Sequence, residues 1–182
     1  MTVNIIRINR STDSRVPALI SILKESFGEA LIRTPEQLKR IIDTESKHYF
    51  NAVEYNGKIS GVVVYWELQT NVHFIEHIAV STKCRGAKLG QKVLDHLFSN
   101  IKGLWLLEVE NDNTHERLRN WYNHNGFEVV NKNYLQPPYN YGAQAVPLWI
   151  MSNQSLSSDA VLSYLSILKY QVYEKHYLVS RA

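Results

Sequence analysis

The sequence predicts an α/β protein, and three segments carry that expectation. Residues 74–98, FIEHIAVSTKCRGAKLGQKVLDHLF, read as a strand ending at Val80, a basic loop with glycines at 86 and 90, and an amphipathic helix. Tyr49–Tyr55 and Lys58–Glu67 are rich in strand formers and flank Asn56-Gly57, a strong hairpin signal because both residues tolerate positive φ. Leu104–Glu110 is a buried-looking strand followed by a helical pattern over Glu116–His124. Strands mixed with helices in this way build a sheet covered by helices on both faces.

The remaining elements follow in order. Val3–Ile8 alternates as a strand. Ser14 is expected to cap a first helix, with Pro17 in its first turn, Leu19, Ile20, Leu23 and Phe27 on one face, and Gly28 as its stop. Thr34-Pro35-Glu36-Gln37 spells a capping box with proline at the first helical position, starting a second helix through Leu38, Ile41 and Ile42. Asn71–Val80 is the strand that feeds the basic loop, and Leu89–Ile101 is the helix after it, with Leu89, Val93 and Leu97 at steps of four. Phe127–Asn131 and Val146–Met151 are further strands. Between them, Leu135-Gln136-Pro137-Pro138-Tyr139 is expected to be extended, as wall of an acceptor pocket or as a rigid connector. Ser157–His176 reads as a C-terminal helix with a stripe of Val161, Leu165, Leu168 and Val172, packed on the body of the protein or on a second subunit.

Composition bounds the function classes. The 182 residues suit one domain with a core that needs neither disulfides nor metal, and 45% hydrophobic with 20% charged residues is an ordinary globular balance. A net charge of +3 with scattered basic residues does not call for nucleic acid as partner. Cys84 is the sole cysteine, so a disulfide within the chain and a cysteine-rich zinc site are ruled out. No basic-then-apolar leader and no apolar run of about 18 residues is found, so a cytoplasmic protein with no membrane association is expected.

The 74–98 segment is an anion-binding construction. Backbone N–H groups at a helix start lack partners within the helix and point at what binds there, and glycine lets that backbone come close. Lys83, Arg85, Lys88 and Lys92 add positive charge, so a phosphate-bearing ligand is expected. A second segment, LLEVENDNTHERLRNWYNHNGFEVV, ends a helix on Trp121-Tyr122 and turns at Gly126-Phe127.

Together these segments resemble the signature of the GCN5-related N-acetyltransferases. Val80, Arg85, Gly86, Gly90 and Leu94 fall in register with the strand, the Arg-Gly-x-Gly-x-Gly/Ala loop and the Leu-rich helix of that family, while Lys88 stands where its middle glycine belongs. Tyr122 with Gly126-Phe127 matches the family's closing motif. The resemblance implies the acyl-CoA N-acyltransferase fold over residues 1–151: a mixed, mostly antiparallel sheet with helices on both faces. Residues 152–182 would be a C-terminal helical extension. It also implies acetyl-CoA as cosubstrate, held by Ile78, Ala79, Val80, Arg85, Gly86, Ala87, Lys88, Leu89 and Gly90. Tyr122 and a loop asparagine, Asn111 or Asn113, with Asn113 preferred, would complete that site.

Acyl transfer to an amine needs a neutral nucleophile and a stabilised leaving thiolate. An ammonium with a pKa near 10.4 is neutral at pH 7 only about once in 2,500 molecules, a cost of about 4.6 kcal/mol, which a carboxylate reduces by taking the proton. Glu76, four residues before Val80, lies where many relatives carry a carboxylate. Glu108, on the next strand and on the same face as Glu110, is the alternative, and water with backbone carbonyls is the third. Tyr122 matches the tyrosine that often protonates the departing sulfur, and as a plain core aromatic it would only need a hydrogen-bond partner.

Two other features compete for a role. His73-Phe74-Ile75-Glu76-His77 spells an inverted zinc-peptidase motif, but that motif works on a helix and its neighbours favour a strand, so no metal is expected. Cys84, between Lys83 and Arg85, has surroundings that favour a thiolate, yet no step of direct transfer needs one. The sequence thus points to an enzyme moving acetyl from CoA to a primary amine of a small molecule or peptide, with a homodimer possible. The rival is a CoA-binding sensor or partner-binding module without turnover. The acceptor is not legible, because acceptor loops vary while the donor loop does not.

Overall fold

The computed structural model describes residues 3–84 and 86–177. Seven strands, β1 (Val3–Ile8), β2 (His48–Tyr55), β3 (Lys58–Gln69), β4 (Val72–Val80), β5 (Leu104–Glu110), β6 (Glu128–Gln136) and β7 (Val146–Ser152), form one sheet in the order β1-β2-β3-β4-β5-β7-β6. Pairing is antiparallel for β1–β2, β2–β3, β5–β7 and β6–β7, whereas β4 and β5 run parallel, Val72 opposite Leu104 through Ile75 opposite Leu107. The helices are α1 (Val16–Ser26), α2 (Pro35–Thr44), α3 (Leu89–Asn100), α4 (Glu116–His124) and α5 (Ser158–Leu168). The mixed, mostly antiparallel sheet and the C-terminal helix are those the sequence predicts.

By packing, the chain divides into two compact units: residues up to 66 with 76–102, and residues 67–75 with those from 103 onward. In the first, α1 and α2 bury Val16, Leu19, Ile22, Leu23, Leu38 and Ile42 against Ile8, Phe50, Ala52, Val62, Val64 and Ala79. Helix α3 contacts β1 and buries Leu89, Val93, Leu94 and Leu97. The β2–β3 hairpin turns on Asn56 (φ 51°) and Gly57 (φ 74°), the left-handed pair that Asn-Gly was expected to supply.

Caps show where local chemistry decided the ends. Thr34 Oγ1 accepts from the Gln37 N–H at 3.2 Å while Gln37 Oε1 accepts from the Thr34 N–H at 3.0 Å, so the predicted capping box forms. Ser14 does not cap α1. Asp13 takes that part of the chain instead, its carboxylate accepting from the Arg15 backbone and side chain, and the helix starts at Val16. Gly28 directly follows the C-cap Phe27, the place of a stop glycine, but it is extended (φ −66°) and not left-handed, and it precedes a single 3₁₀ turn over Glu29–Leu31.

In the second unit β6 extends to Gln136, longer than expected, because Tyr134 and Gln136 face inward and stay buried. The C-terminal helix is α-helical only to Leu168; Lys169–Tyr173 is a π-helical turn and Glu174–His176 a 3₁₀ turn. The predicted stripe of Val161, Leu165, Leu168 and Val172 is buried, and Tyr173 is buried with it. Adjacent residues 172 and 173 are both buried, at the i+7 and i+8 positions of the face that Leu165 begins.

Candidate active site

Glu76 sits on β4 with its side chain 2% exposed, and both of its oxygens are engaged. Arg33, just before the α2 cap, donates from Nε to Oε1 at 3.1 Å, and its Nη2 lies 3.1 Å from the same oxygen. Trp66 Nε1 donates to Oε2 at 2.7 Å. Burial alone would raise the Glu76 carboxyl, but Arg33, with His77, His48 and the Trp66 hydrogen bond, outweighs it and holds the group at about 2. His77, next along the strand, is pushed down to about 4 by burial, against the pull of Glu76, so its imidazole is neutral at pH 7. Arg33, Glu76 and His77 line a pocket whose other walls are Ile20, Leu23, Ile32, Leu38 and Val64.

Beyond Glu76, β4 ends through half-buried Ile78, buried Ala79 and half-buried Val80. Its approach to β3 depends on Gly61: a Cβ there would stand 2.6 Å from the Ala79 carbonyl oxygen. Ser81 N–H then donates to the Ser60 carbonyl at 2.9 Å, fixing where the chain leaves the sheet. The loop passes through a 3₁₀ turn at Thr82–Cys84 and two left-handed residues, Gly86 (φ 88°) and Lys88 (φ 54°), into α3. Open space surrounds the Cβ position of Gly86, and no side chain caps α3. Ala87 is half-buried, Lys88 exposed, Leu89 buried, and Gly90 half-buried in the first turn of α3. Arg85, the cation expected on the phosphates, lies outside the described residues. The uncapped α3 start, the open space at Gly86 and the charge of Lys88 fit a phosphate-bearing ligand.

The other predicted residues lie in the second unit. Tyr122 is buried on α4, tilted against Trp121 at 4.8 Å and edge-on to Phe127 at 5.6 Å; burial raises its phenol above the ordinary range. The Tyr122 carbonyl accepts from the Asn125 and Phe127 N–H groups, and Gly126 (φ 84°) makes the turn that this requires. Asn113 is exposed in a 3₁₀ turn, Asn113–His115, that the Asp112 carboxylate caps by accepting from the His115 N–H. Asn111, the other asparagine considered, is exposed too. Glu108 is half-buried on β5, and Tyr173 Oη donates to its Oε2 at 2.7 Å.

The family model described as "Acetyltransferase (GNAT) family" matches residues 16–127, more than half of the chain and including both the 81–90 loop and the Tyr122–Phe127 ending. The chain belongs to the GNAT acetyltransferase family. A GNAT-family structure from Bacteroides thetaiotaomicron is similar at 25% identity, covering 95% of this chain and 98% of that one with a TM-score of 0.83. Two more distant structures share the GNAT fold. One is a GNAT acetyltransferase from Elizabethkingia anophelis with acetyl-CoA bound, at 16% identity, 82% and 96% coverage and TM-score 0.55. The other is the ribosomal-protein-S18-alanine N-acetyltransferase from Escherichia coli, at 16% identity, 87% and 98% coverage and TM-score 0.60. No match is found among curated protein sequences.

Within the matched segment lie the glycine-bearing loop before α3 and the buried Arg33–Glu76 ion pair. His73 and His77 lie on β4, a strand and not a helix, so the peptidase-like spelling has no chelating geometry. Among the described residues no cluster could hold a metal ion, and no helix is long and apolar enough to cross a membrane. Cys84 is half-buried in its 3₁₀ turn. Sequence reasoning missed Arg33 and Trp66, the partners of Glu76. Nothing local marks them, since they reach Glu76 from 43 and 10 residues away along the chain. It also missed Tyr173, which meets Glu108 from 65 residues away along the chain.

Proposed function

We propose that this GNAT protein is an acetyl-CoA-dependent N-acetyltransferase moving acetyl directly to a primary amine of a small molecule or peptide. The observation that carries this reading is the uncapped, left-handed entry to α3 inside the segment that the family model matches. Acetyl-CoA bound to the Elizabethkingia protein supports the choice of donor. When bound, the thioester supplies an activated acyl carbon. The Gly86–Gly90 backbone and Lys88 hold the pyrophosphate, and Ile78, Ala79 and Val80 lie along the pantetheine arm. As the amine nitrogen bonds to the acyl carbon, the C–S bond breaks and its electron pair leaves on sulfur. Tyr122, whose raised phenol stays protonated at working pH, donates its hydrogen bond to that sulfur. Asn113 is a further candidate contact for the donor.

The amine must shed its own proton. Glu76 is less suited to direct abstraction than its position suggests, because a carboxyl held at about 2 is a weak acceptor and both its oxygens are engaged. Glu108 already receives the Tyr173 hydroxyl. Proton loss through water is the route that this geometry supports, with the two carboxylates as the alternatives to test. Free-thiol release from acetyl-CoA across a panel of primary amines tests the proposal. Amine-dependent thiol release is expected; tight acetyl-CoA binding with no thiol release from any amine would make this a binding module. A cytoplasmic setting and a dimer remain part of the proposal, supported by composition and by the exposed Leu162 and Tyr170 of the C-terminal segment.

A further inference from the structure

A second polar site lies where β5, β6 and the C-terminal helix meet. Glu108 Oε2 accepts from Tyr173 Oη at 2.7 Å, and the Tyr173 ring lies 5.1 Å from that of Tyr139. Tyr134 is 2% exposed and on the same sheet face as Glu108, since through β7 Tyr134 stands opposite Leu148 and Glu108 opposite Ile150; burial, with Glu108 and Tyr139, pushes its phenol up. Gln136, two residues along β6 and therefore on the face of Tyr134, is also 2% exposed, and its Oε1 has no hydrogen-bond partner. A buried carbonyl oxygen without a donor costs about 1–3 kcal/mol, so its retention needs an explanation. The site is rich in acceptors: a carboxylate, an amide oxygen and phenol oxygens. An ammonium is already tolerated at its edge, since Lys169 Nζ lies 5.4 Å from the centre of the Tyr134 ring.

We infer that Glu108, Gln136 and Tyr134 form a subsite for a cationic nitrogen of the acceptor, distinct from the nitrogen that is acetylated, with Tyr173 as its positioning residue. The distinction follows from charge. A carboxylate beside an ammonium favours the protonated form, whereas the attacking nitrogen must be neutral. The group held here is therefore a recognition handle, and the acceptor class is a diamine or longer polyamine. Tyr173 closes the π-turn over Lys169–Tyr173, and from there its hydroxyl reaches Glu108. The inference rests on the transferase reading for the word acceptor; the binding of a cation does not.

Calorimetric titration of the full chain, with CoA present, tests it with terminal diaminobutane and its amino-alcohol analogue as probes. The diamine is expected to bind the wild type at least about tenfold more tightly than the amino alcohol, the scale of one buried charge-assisted contact. Glu108→Gln and Gln136→Leu should each erase that preference, Tyr173→Phe should weaken it, and Glu128→Gln, an exposed change on the same strand, should leave it intact. Equal binding of the two probes by the wild type overturns the inference, as does a preference that survives Glu108→Gln in a variant with an unaltered melting profile. Thiol release is read separately. Diamine binding with no thiol release from any amine of the panel sinks the transferase reading and keeps the subsite; turnover without discrimination does the reverse.

Discussion

Arg33 and Glu76 form a buried ion pair, Nη2 to Oε1 at 3.1 Å with both side chains 2% exposed, and Trp66 holds the second carboxylate oxygen. Burying two charges stabilises only when each is satisfied, and removing one partner leaves the other uncompensated. Glu76→Gln is therefore expected to cost about 3–5 kcal/mol of stability, read as a lower denaturation midpoint. Turnover should fall by a similar factor at every pH. A base would behave differently: its loss matters most at low pH and fades as the free amine becomes abundant. Convergence of the variant with wild type at high pH would return the base to Glu76.

The same cluster sets an acid limit on folding. His77 has its pKa lowered from 6.5 to about 4 by burial, so below 6.5 the unfolded chain binds a proton that the folded chain refuses. Stability from this group is full above 6.5 and is lost as pH falls through 6.5 toward 4. Glu76, lowered from 4.5 to about 2, extends the loss further into acid. Chemical unfolding of wild type should show a falling free energy from pH 6.5 to 4, and His77→Phe should flatten that window. A wild-type curve already flat there would mean that His77 charges within the fold.

These cases show what the sequence could and could not carry. The Thr34–Gln37 box, the Asn56-Gly57 turn and the strand–loop–helix around Val80 depend on residues within a few positions of one another, and each is where local chemistry puts it. The buried stripe of the C-terminal helix was legible for the same reason. What was not legible depends on distance in sequence: Arg33 meets Glu76 across 43 residues and Tyr173 meets Glu108 across 65. Glu76 read as a candidate base because nothing beside it in the sequence shows that Arg33 and Trp66 hold it. Its fixed charge belongs to packing.

Lys88 offers a direct test of the donor loop. It adopts φ 54°, a left-handed conformation that costs a side-chain-bearing residue about 1–2 kcal/mol and glycine far less. Lys88→Gly should raise the melting temperature by roughly 2–4 °C for a domain of this size, after about 1 kcal/mol is recovered. The same change removes a cation from the proposed phosphate site. Acetyl-CoA affinity should fall, and its dependence on salt should become shallower. A variant that melts higher yet binds acetyl-CoA with unchanged affinity and salt dependence would place the ammonium in solvent.

Tyr122 separates catalysis from packing most cleanly. Its ring is held by Trp121 and Phe127 and its hydroxyl is a phenol that burial keeps protonated, so Tyr122→Phe preserves the ring contacts and removes only the donor. If that donor stabilises the departing sulfur, kcat should drop by roughly 10- to 1,000-fold while acetyl-CoA affinity stays near wild type. The loss should not change between pH 6 and pH 9, because the wild-type phenol does not ionise in that range. A leaving group of lower basicity should narrow the gap, since a thiolate that departs readily gains less from a donor. Thioester donors with progressively more acidic thiols supply that series. Normal kcat in a folded Tyr122→Phe, or a deficit that ignores the leaving group, assigns Tyr122 to the core of its unit.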